Sequence, residues 1–359
     1  MTRPLLFLAF LTACGSSHMA DDDLPLDGGP ATDMARVDPD GGDVDAFTPR
    51  PTSCTVEIGE QQGEGCFCNG PIAYANGFLY RQSIGIEIYA VEGGELTPMG
   101  VVEERGSAQG GLVIAAGHLV SLLDFAEDGD NLRVYSLDDP ANPSLVGGLR
   151  LPHDAPQALG ANGDQVVVAT SSIDEITLSW IDLSDPTEPT ERWTRTAEGT
   201  PSSIAVTERG AFLTDERGEP TERTQWLTWW DTEGTLVDQV ELDGRRWNRS
   251  VVARGDELFV SGTGERLIER FVVGERLSRM DALIGGDESV GGELLIRGDL
   301  LVLSNNPILI ADVRSPIRRV GVADSPIGDM HHLAAPEGPL EWVYGSGGNG
   351  VVAARITCD

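Results

Sequence analysis

Five residues of this 359-residue chain have the types to bind a divalent metal: His153 beside Asp154, and Asp329 just ahead of the paired His331 and His332. Neutral imidazoles and carboxylates are ordinary ligands for such an ion. Two facts oppose this reading: adjacent histidines on a strand point to opposite faces, and only five histidines exist in the whole chain. Polar groups lining a loop or channel are the plainer role for all five. Cys66 and Cys68 form a CxC pair, which suits a metal or a redox couple, but no second CxxC and no nearby histidine supports either use. GxSxG, HExxH and phosphate-loop patterns are absent from the sequence. The one glycine-rich tract, Gly345 to Gly350, lies between two strand-like runs and not before a helix, so it lacks the dipole that binds phosphate. It reads as a hairpin turn in which Asn349 and Gly350 supply positive backbone angles. The sequence therefore nominates no catalytic residue, and its cofactor expectation is none, with a divalent metal at the five residues as the alternative.

These residues must be held by short strands. Turn glycines recur at Gly77, Gly117, Gly163, Gly210, Gly255, Gly298 and Gly338, 40 to 47 residues apart, each leading into bulky apolar residues, in four cases through a polar one. Such a period marks a radial β-repeat, because one unit cannot cover its own apolar faces and must stack on its neighbours. Within a unit, Pro156 to Ala161 is followed by a turn at Asn162 and Gly163, then by Gln165 to Ala169, by Thr177 to Leu183 ending near an aspartate, and by a polar edge run, Pro189 to Trp193. No stretch beyond the N-terminal signal holds a 3.6-residue pattern for three turns. The expected fold is an all-β β-propeller of seven four-stranded blades, with six or eight as the alternatives. The last blade has room for only three strands. Pairing Cys54 to Ile58 with the final run Val351 to Thr357 would close the ring and hide two edges. Further polar residues expected at the channel mouth include Gln157, Ser202 and Ser203. Trp226, Trp229, Trp230 and Trp247 read as fillers between blades, with a sugar site as the alternative.

The third run of three units carries a family resemblance. LRVYSLDDPANPSLVG from Leu132, LSWIDLSDPTEPTERW from Leu178 and ILIADVRSPIRRVG from Ile308 resemble the LVIVD repeat of bacterial and archaeal surface proteins, in which an apolar strand ends in Asp and runs into a Ser/Asp-Pro turn. The resemblance implies a propeller. It brings no common activity, because that family has none.

Residues 1–13 have a positive end and a short apolar core, the pattern of an export signal. Leu11, Thr12, Ala13 and Cys14 resemble the lipobox of bacterial lipoproteins, which implies lipidation at Cys14 and a membrane contact through that lipid. Gly15, in place of an aspartate, implies sorting to the outer membrane of a Gram-negative cell envelope. Residues 14–52, rich in Asp, Gly and Pro, have too little apolar surface to order and read as a disordered acidic tether to a propeller domain spanning 53–359. The formal charge of −33 disfavours nucleic acid and leaves an envelope protein with a basic patch, or a small-molecule ligand, as partner. Besides Cys14 the chain has Cys54, Cys66, Cys68 and Cys358, an even count that suggests disulfides in an exported chain. Of the possible pairings, spacing favours those tying the start of the domain to its end, Cys54 or Cys68 with Cys358. The leading expectation is a non-enzymatic, lipid-anchored binding scaffold; the rival is a metal-dependent propeller hydrolase or lyase with its site at the channel mouth.

Overall fold

The structure, a computed structural model, describes residues 50–63, 70–104, 106–107, 110–123, 125–126, 129–151, 156–172, 175–219, 222–242, 250–262, 266–285, 292–304, 307–323, 332–347 and 350–359. Among them there is no helix, and 28 strands form seven four-stranded antiparallel sheets. Blade one comprises Ile72–Ala75, Phe78–Gln82, Gly85–Glu92 and Glu95–Glu103. Blade two comprises Gly111–Ala115, His118–Leu122, Leu132–Ser136 and Ser144–Leu149, and blade three Pro156–Asn162, Gln165–Ser172, Glu175–Asp182 and Thr190–Glu198. Blade four runs through Thr200–Thr207, Gly210–Arg217, Thr224–Trp230 and Leu236–Leu242; blade five through Val251–Arg254, Glu257–Ser261, Arg266–Val273 and Leu277–Ile284. Blade six is Leu294–Arg297, Leu300–Leu303, Ile308–Asp312 and Arg318–Ala323. Blade seven takes His332–Ala334, Trp342–Gly347 and Gly350–Cys358 from the end of the domain and its outer strand, Cys54–Ile58, from the start. The first strand of every blade touches the first strand of the next, and that of blade seven touches that of blade one, so the ring is closed.

Packing explains why the strands read as apolar runs. The seven large clusters of buried side chains correspond one to each contact between neighbouring blades, and a small eighth joins Leu123 and Ala126. Successive residues of a strand point to opposite faces, so one strand serves two clusters. In Gln165–Ser172, Val166 and Val168 pack toward blade two, while Val167 and Ala169 pack toward blade four. Trp229 and Trp230 divide in the same way, Trp229 against blade five and Trp230 against blade three, which makes both of them core. Trp226 is half-buried under Arg217, and Trp247 lies outside the described residues. The outer strand of blade three extends to Glu198, past the expected Trp193, because its charged residues face water and leave no apolar signal. All seven turn glycines have positive φ, as in the Asn76 and Gly77 pair that joins the first two strands of blade one.

The aspartate that ends the third strand is a turn former. Asp182 Oδ1 accepts the Ser184 amide at 2.8 Å, Asp231 the Glu233 amide at 3.0 Å, and Asp312 the Arg314 amide at 3.0 Å; Ser136 Oγ does the same for Asp138 at 3.1 Å. Asp312 is fully buried and also binds Arg314 Nη2 at 3.0 Å and Arg318 Nη2 at 3.6 Å. Around it the start of the domain is clamped to blade six: Arg50 Nη2 donates to Ser315 O at 2.6 Å and Arg318 Nη2 to Pro51 O at 2.7 Å. Burial alone would raise the Asp312 carboxyl. The hydrogen bonds from the Arg314 guanidinium and amide, with the charges of Arg314 and Arg50, outweigh it and hold the group below its usual range.

Closure is made by Cys54–Ile58, which pairs with Gly350–Cys358 in a register that sets Cys54 opposite Cys358. Those two cysteines form a disulfide across 304 residues of sequence. This selects one of the pairings left open above; Cys66 and Cys68 lie outside the described residues. Two outcomes follow. Replacing both Cys54 and Cys358 by Ser should cost up to about 5 kcal/mol by the chain-entropy account, read as a fall in the urea midpoint that reductant reproduces in the parent protein. Asp312→Asn should destabilise the domain at neutral pH by about 1–3 kcal/mol. Because the folded-state carboxyl titrates below the unfolded one, this stabilisation is present above about pH 4 and is lost as pH falls through the folded value, so the two unfolding curves should converge in acid.

Candidate functional site

Strand direction gives the ring two unlike ends. At one end the first two strands of blades one to six are joined by two-residue turns, such as Ala116 and Gly117 or Gly255 and Asp256. Arginines bolt these turns to one another. Arg209 Nε meets Asp256 at 2.7 Å, Arg254 Nη1 meets Asp299 at 2.7 Å and Gly298 O at 3.0 Å, and Arg297 donates to Ala335 O and Pro336 O, each at 3.0 Å. Burial lowers the Arg297 pKa, partly offset by the nearby Glu337 carboxylate. At the opposite end run the connections from the second strand to the third, and from each outer strand to the next inner one. The longest of the latter, from Ile58 of blade seven to Ile72 of blade one, spans thirteen residues, 59–71, and the next, from Ile284 to Leu294, spans nine.

Beneath this loop-rich end a collar of polar side chains joins the start of one inner strand to the next blade. Gln82 Nε2 donates to Ser121 Oγ at 2.8 Å and to Leu122 O at 3.0 Å, linking blades one and two. The Val251 amide donates to Ser203 Oγ at 3.2 Å, and the Leu294 amide to Ser250 Oγ at 3.0 Å. The Leu333 amide donates to Glu293 Oε2 at 3.1 Å, and Ser346 Oγ donates to Gly70 O at 2.6 Å, returning to blade one. Between blades one and two the collar deepens. Glu104 Oε1 accepts Ser121 Oγ at 2.7 Å and the Tyr135 hydroxyl at 3.0 Å. Burial raises the Tyr135 hydroxyl, and the Glu104 charge adds to it against an opposing hydrogen bond from Arg133. Packing is also close on the channel side: a Cβ on Gly160 would stand 2.9 Å from Ile204 O of the next inner strand.

Of the five metal candidates, only His332 is among the described residues; His153, Asp154, Asp329 and His331 lie outside them. His332 opens the inner strand of blade seven, half-buried, with Nδ1 3.0 Å from Glu293 Oε2. That oxygen also takes the Leu333 amide, so the pair belongs to the collar. Among the described residues no three His, Cys, Asp or Glu side chains come together as a metal site. Ser203 joins the collar as expected of a residue at the mouth, Ser202 is half-buried beside it, and Gln157 is exposed. Gln82, Ser250, Glu293 and Ser346 were not anticipated. A signal for some of them exists: a hydroxyl residue lies in the latter half of the second strand or just after it in six blades, as Ser121, Thr170, Thr214, Ser261, Ser304 and Ser346.

No protein-family model matches the chain, and no curated protein matches its sequence. Solved structures do match in shape. This is a seven-bladed β-propeller. The chain is similar to the WD40 domain of Toxoplasma gondii coronin, with a TM-score of 0.60 and 12% identity over 86% of this chain and 87% of that one. It is equally similar to the β-propeller domain of Myceliophteria thermophila Cps50 (Swd1), with a TM-score of 0.60, 12% identity, and coverage of 86% of this chain and 100% of that one. A computationally designed protein, Ika8, matches at a TM-score of 0.55 and 12% identity over 82% of this chain and 98% of its own. At such identities the likeness speaks for the fold.

The collar makes its own prediction. Ser346→Ala leaves the buried Gly70 carbonyl without its side-chain donor and should cost about 1–3 kcal/mol, measured as a lowered thermal midpoint. Ser346→Thr keeps a hydroxyl and should recover part of the loss.

Proposed function

We propose that the chain is a non-enzymatic binding scaffold of the cell envelope, held by a lipid on Cys14 and a tether over 14–52, which presents the loop-rich end of its propeller to a partner. The observation that supports this reading most directly is the inequality of the two ends. At one end the two-residue turns between first and second strands are bolted together by Arg209, Arg254 and Arg297, and the connections from third to fourth strand there are at most seven residues long, as 137–143 and 183–189. The other carries the longer connections on a rigid polar collar. Binding residues concentrate on loops held by rigid scaffolds, and a ring of seven interlocked blades is such a scaffold. The propellers that resemble this chain in shape include a WD40 domain and a chain of the mitotic checkpoint complex, so the fold is at home in assemblies. The acidic charge suits a partner with a basic face.

Two measurements test the reading. Metabolic labelling with a radioactive fatty acid should mark the parent chain and not Cys14→Ser, and the variant should leave the membrane fraction. Photo-crosslinking residues placed at Glu175 or Glu198, both exposed at the loop-rich end, should give adducts in intact cells, whereas the same residue at Asp164 or Glu208, in the short turns, should not. Adducts confined to the short-turn end would sink the proposal.

A further inference from the structure

A cleft of about 510 Å³ opens at the rim between blades seven and one. It is bounded by the chain just after the outer strand of blade seven and by the hairpin turn at Gly93 and Gly94 of blade one. Its apolar wall is Ile58, Leu96 and Trp342. A Cβ on Gly94 would stand 2.2 Å from the Trp342 ring, so the turn lies directly against the indole and fixes it. Three carboxylates share the cleft: Glu57, Glu60 and Glu95, all exposed. Among the described residues none of the three has an ion-pair partner, whereas acids elsewhere are held by arginines, as at Asp312 and Asp215. The cleft's one cation, Arg355, is engaged: its Nη2 lies 3.1 Å from Glu341 Oε1, and its guanidinium 5.8 Å from the Trp342 ring centroid.

These carboxylates do not converge on a point as metal ligands would. They border a space in the size range of organic ligand sites, with an indole and aliphatic wall to cover a hydrocarbon stem. That combination fits a long basic side chain, whose stem buries while its charge meets carboxylate. The cleft also leads onto an open sheet edge. Glu95 and Leu96, which line it, begin the nine-residue outer strand Glu95–Glu103, whose far side has no strand partner among the described residues. Along that strand Met99 and Val101 are more than half exposed, and Ile84 beside its far end is 80% exposed. An unpaired edge with apolar side chains is a template for adding one more strand. A second copy of this chain is disfavoured as the occupant by its own charge of −33.

We infer that the rim of blade one is a docking site for an extended basic segment of a partner protein, which adds as a fifth strand beside Glu95–Glu103 and places an arginine or lysine in the cleft of Glu57, Glu60 and Glu95. The inference shares with the scaffold reading only that the protein binds a partner. It needs neither lipidation at Cys14 nor the loop-rich end.

The test uses the purified full chain and a fluorescein-labelled nine-residue peptide of alternating arginine and valine, titrated by anisotropy at low ionic strength. The peptide should bind, and the glutamate and valine counterpart should not. Glu57→Gln, Glu60→Gln and Glu95→Gln together should weaken binding by about tenfold or more, as expected for removing fixed charges from a contact. The control removes the same charge from the outer strand and turn of blade three and the neighbouring short turn of blade four, at the exposed Glu188, Glu191 and Glu208, each changed to Gln; it should alter binding by less than about threefold, since a remote surface charge acts only through screened attraction. Methylating alternate backbone nitrogens of the peptide should abolish binding by removing the ladder donors. Equal loss in the two triple variants, undiminished binding of the methylated peptide, or no binding by the parent would each overturn the inference. If the cleft variant fails to fold, Val101→Lys places a positive charge on the exposed edge and should weaken the arginine peptide in its stead.

Discussion

Every blade of this molecule has two apolar faces, and neither can be left to water. A sheet with one wet face would read as alternating polar and apolar residues; the second and third strands here are nearly continuous apolar runs because odd and even positions serve different neighbours. At about 1.5–3 kcal/mol for each large aliphatic side chain fully buried, one uncovered face would forfeit more than such a domain has in net stability. A linear stack always leaves two such faces at its ends. The ring leaves none, and the seven clusters, each built from two adjacent blades, are the direct record of that solution. It also explains why the seventh sheet draws its outer strand from the opposite end of the domain: without Cys54–Ile58, the cluster around Val352 and Ile356 would lose Cys54 and Val56 from one side.

Much of this was legible in the sequence, because the repeat is written in residues that admit few alternatives. A glycine at positive φ does one geometric job, so its recurrence counts the blades, while the aspartate that caps the turn after the third strand marks blades three, four and six. The chain-end closure was legible for a similar reason: Cys54 to Ile58 had strand character and no other partner. The disulfide was narrowed without being fixed, since Cys54 and Cys68 both had the spacing to reach Cys358, and only the ladder register sets Cys54 opposite it. The collar was mostly hidden. Ser250 or Glu293 alone, just before an apolar run, looks like any loop residue. Its partner lies about one repeat away, as with Ser250 and Leu294, Glu293 and Leu333, or Arg254 and Asp299, so pairs at the repeat spacing carry the signal and single residues do not. His332 was noticed for its chemistry, yet its observed partner, Glu293, belongs to this structural set.

The ends and the rim of the ring are therefore under different demands. The bolted turns and the collar are committed to holding blades in place, and their polar groups are used up by one another. The blade-one edge keeps capacity of both kinds, with an open ladder and three cleft acids that have no ion-pair partner among the described residues.

The closing strand is also where any pull on the N-terminal side of the chain enters the domain. Tension applied ahead of Arg50 reaches Ser53 and then the first rung of the ladder, the geometry in which a strand peels away one hydrogen bond at a time. The covalent bond between Cys54 and Cys358 sits on that first rung. Force is passed at once to the other end of the domain before it reaches Thr55, and unzipping of the closing strand is turned into a load shared by two backbones. Under such a load the staple stands at the point where mechanical failure would begin.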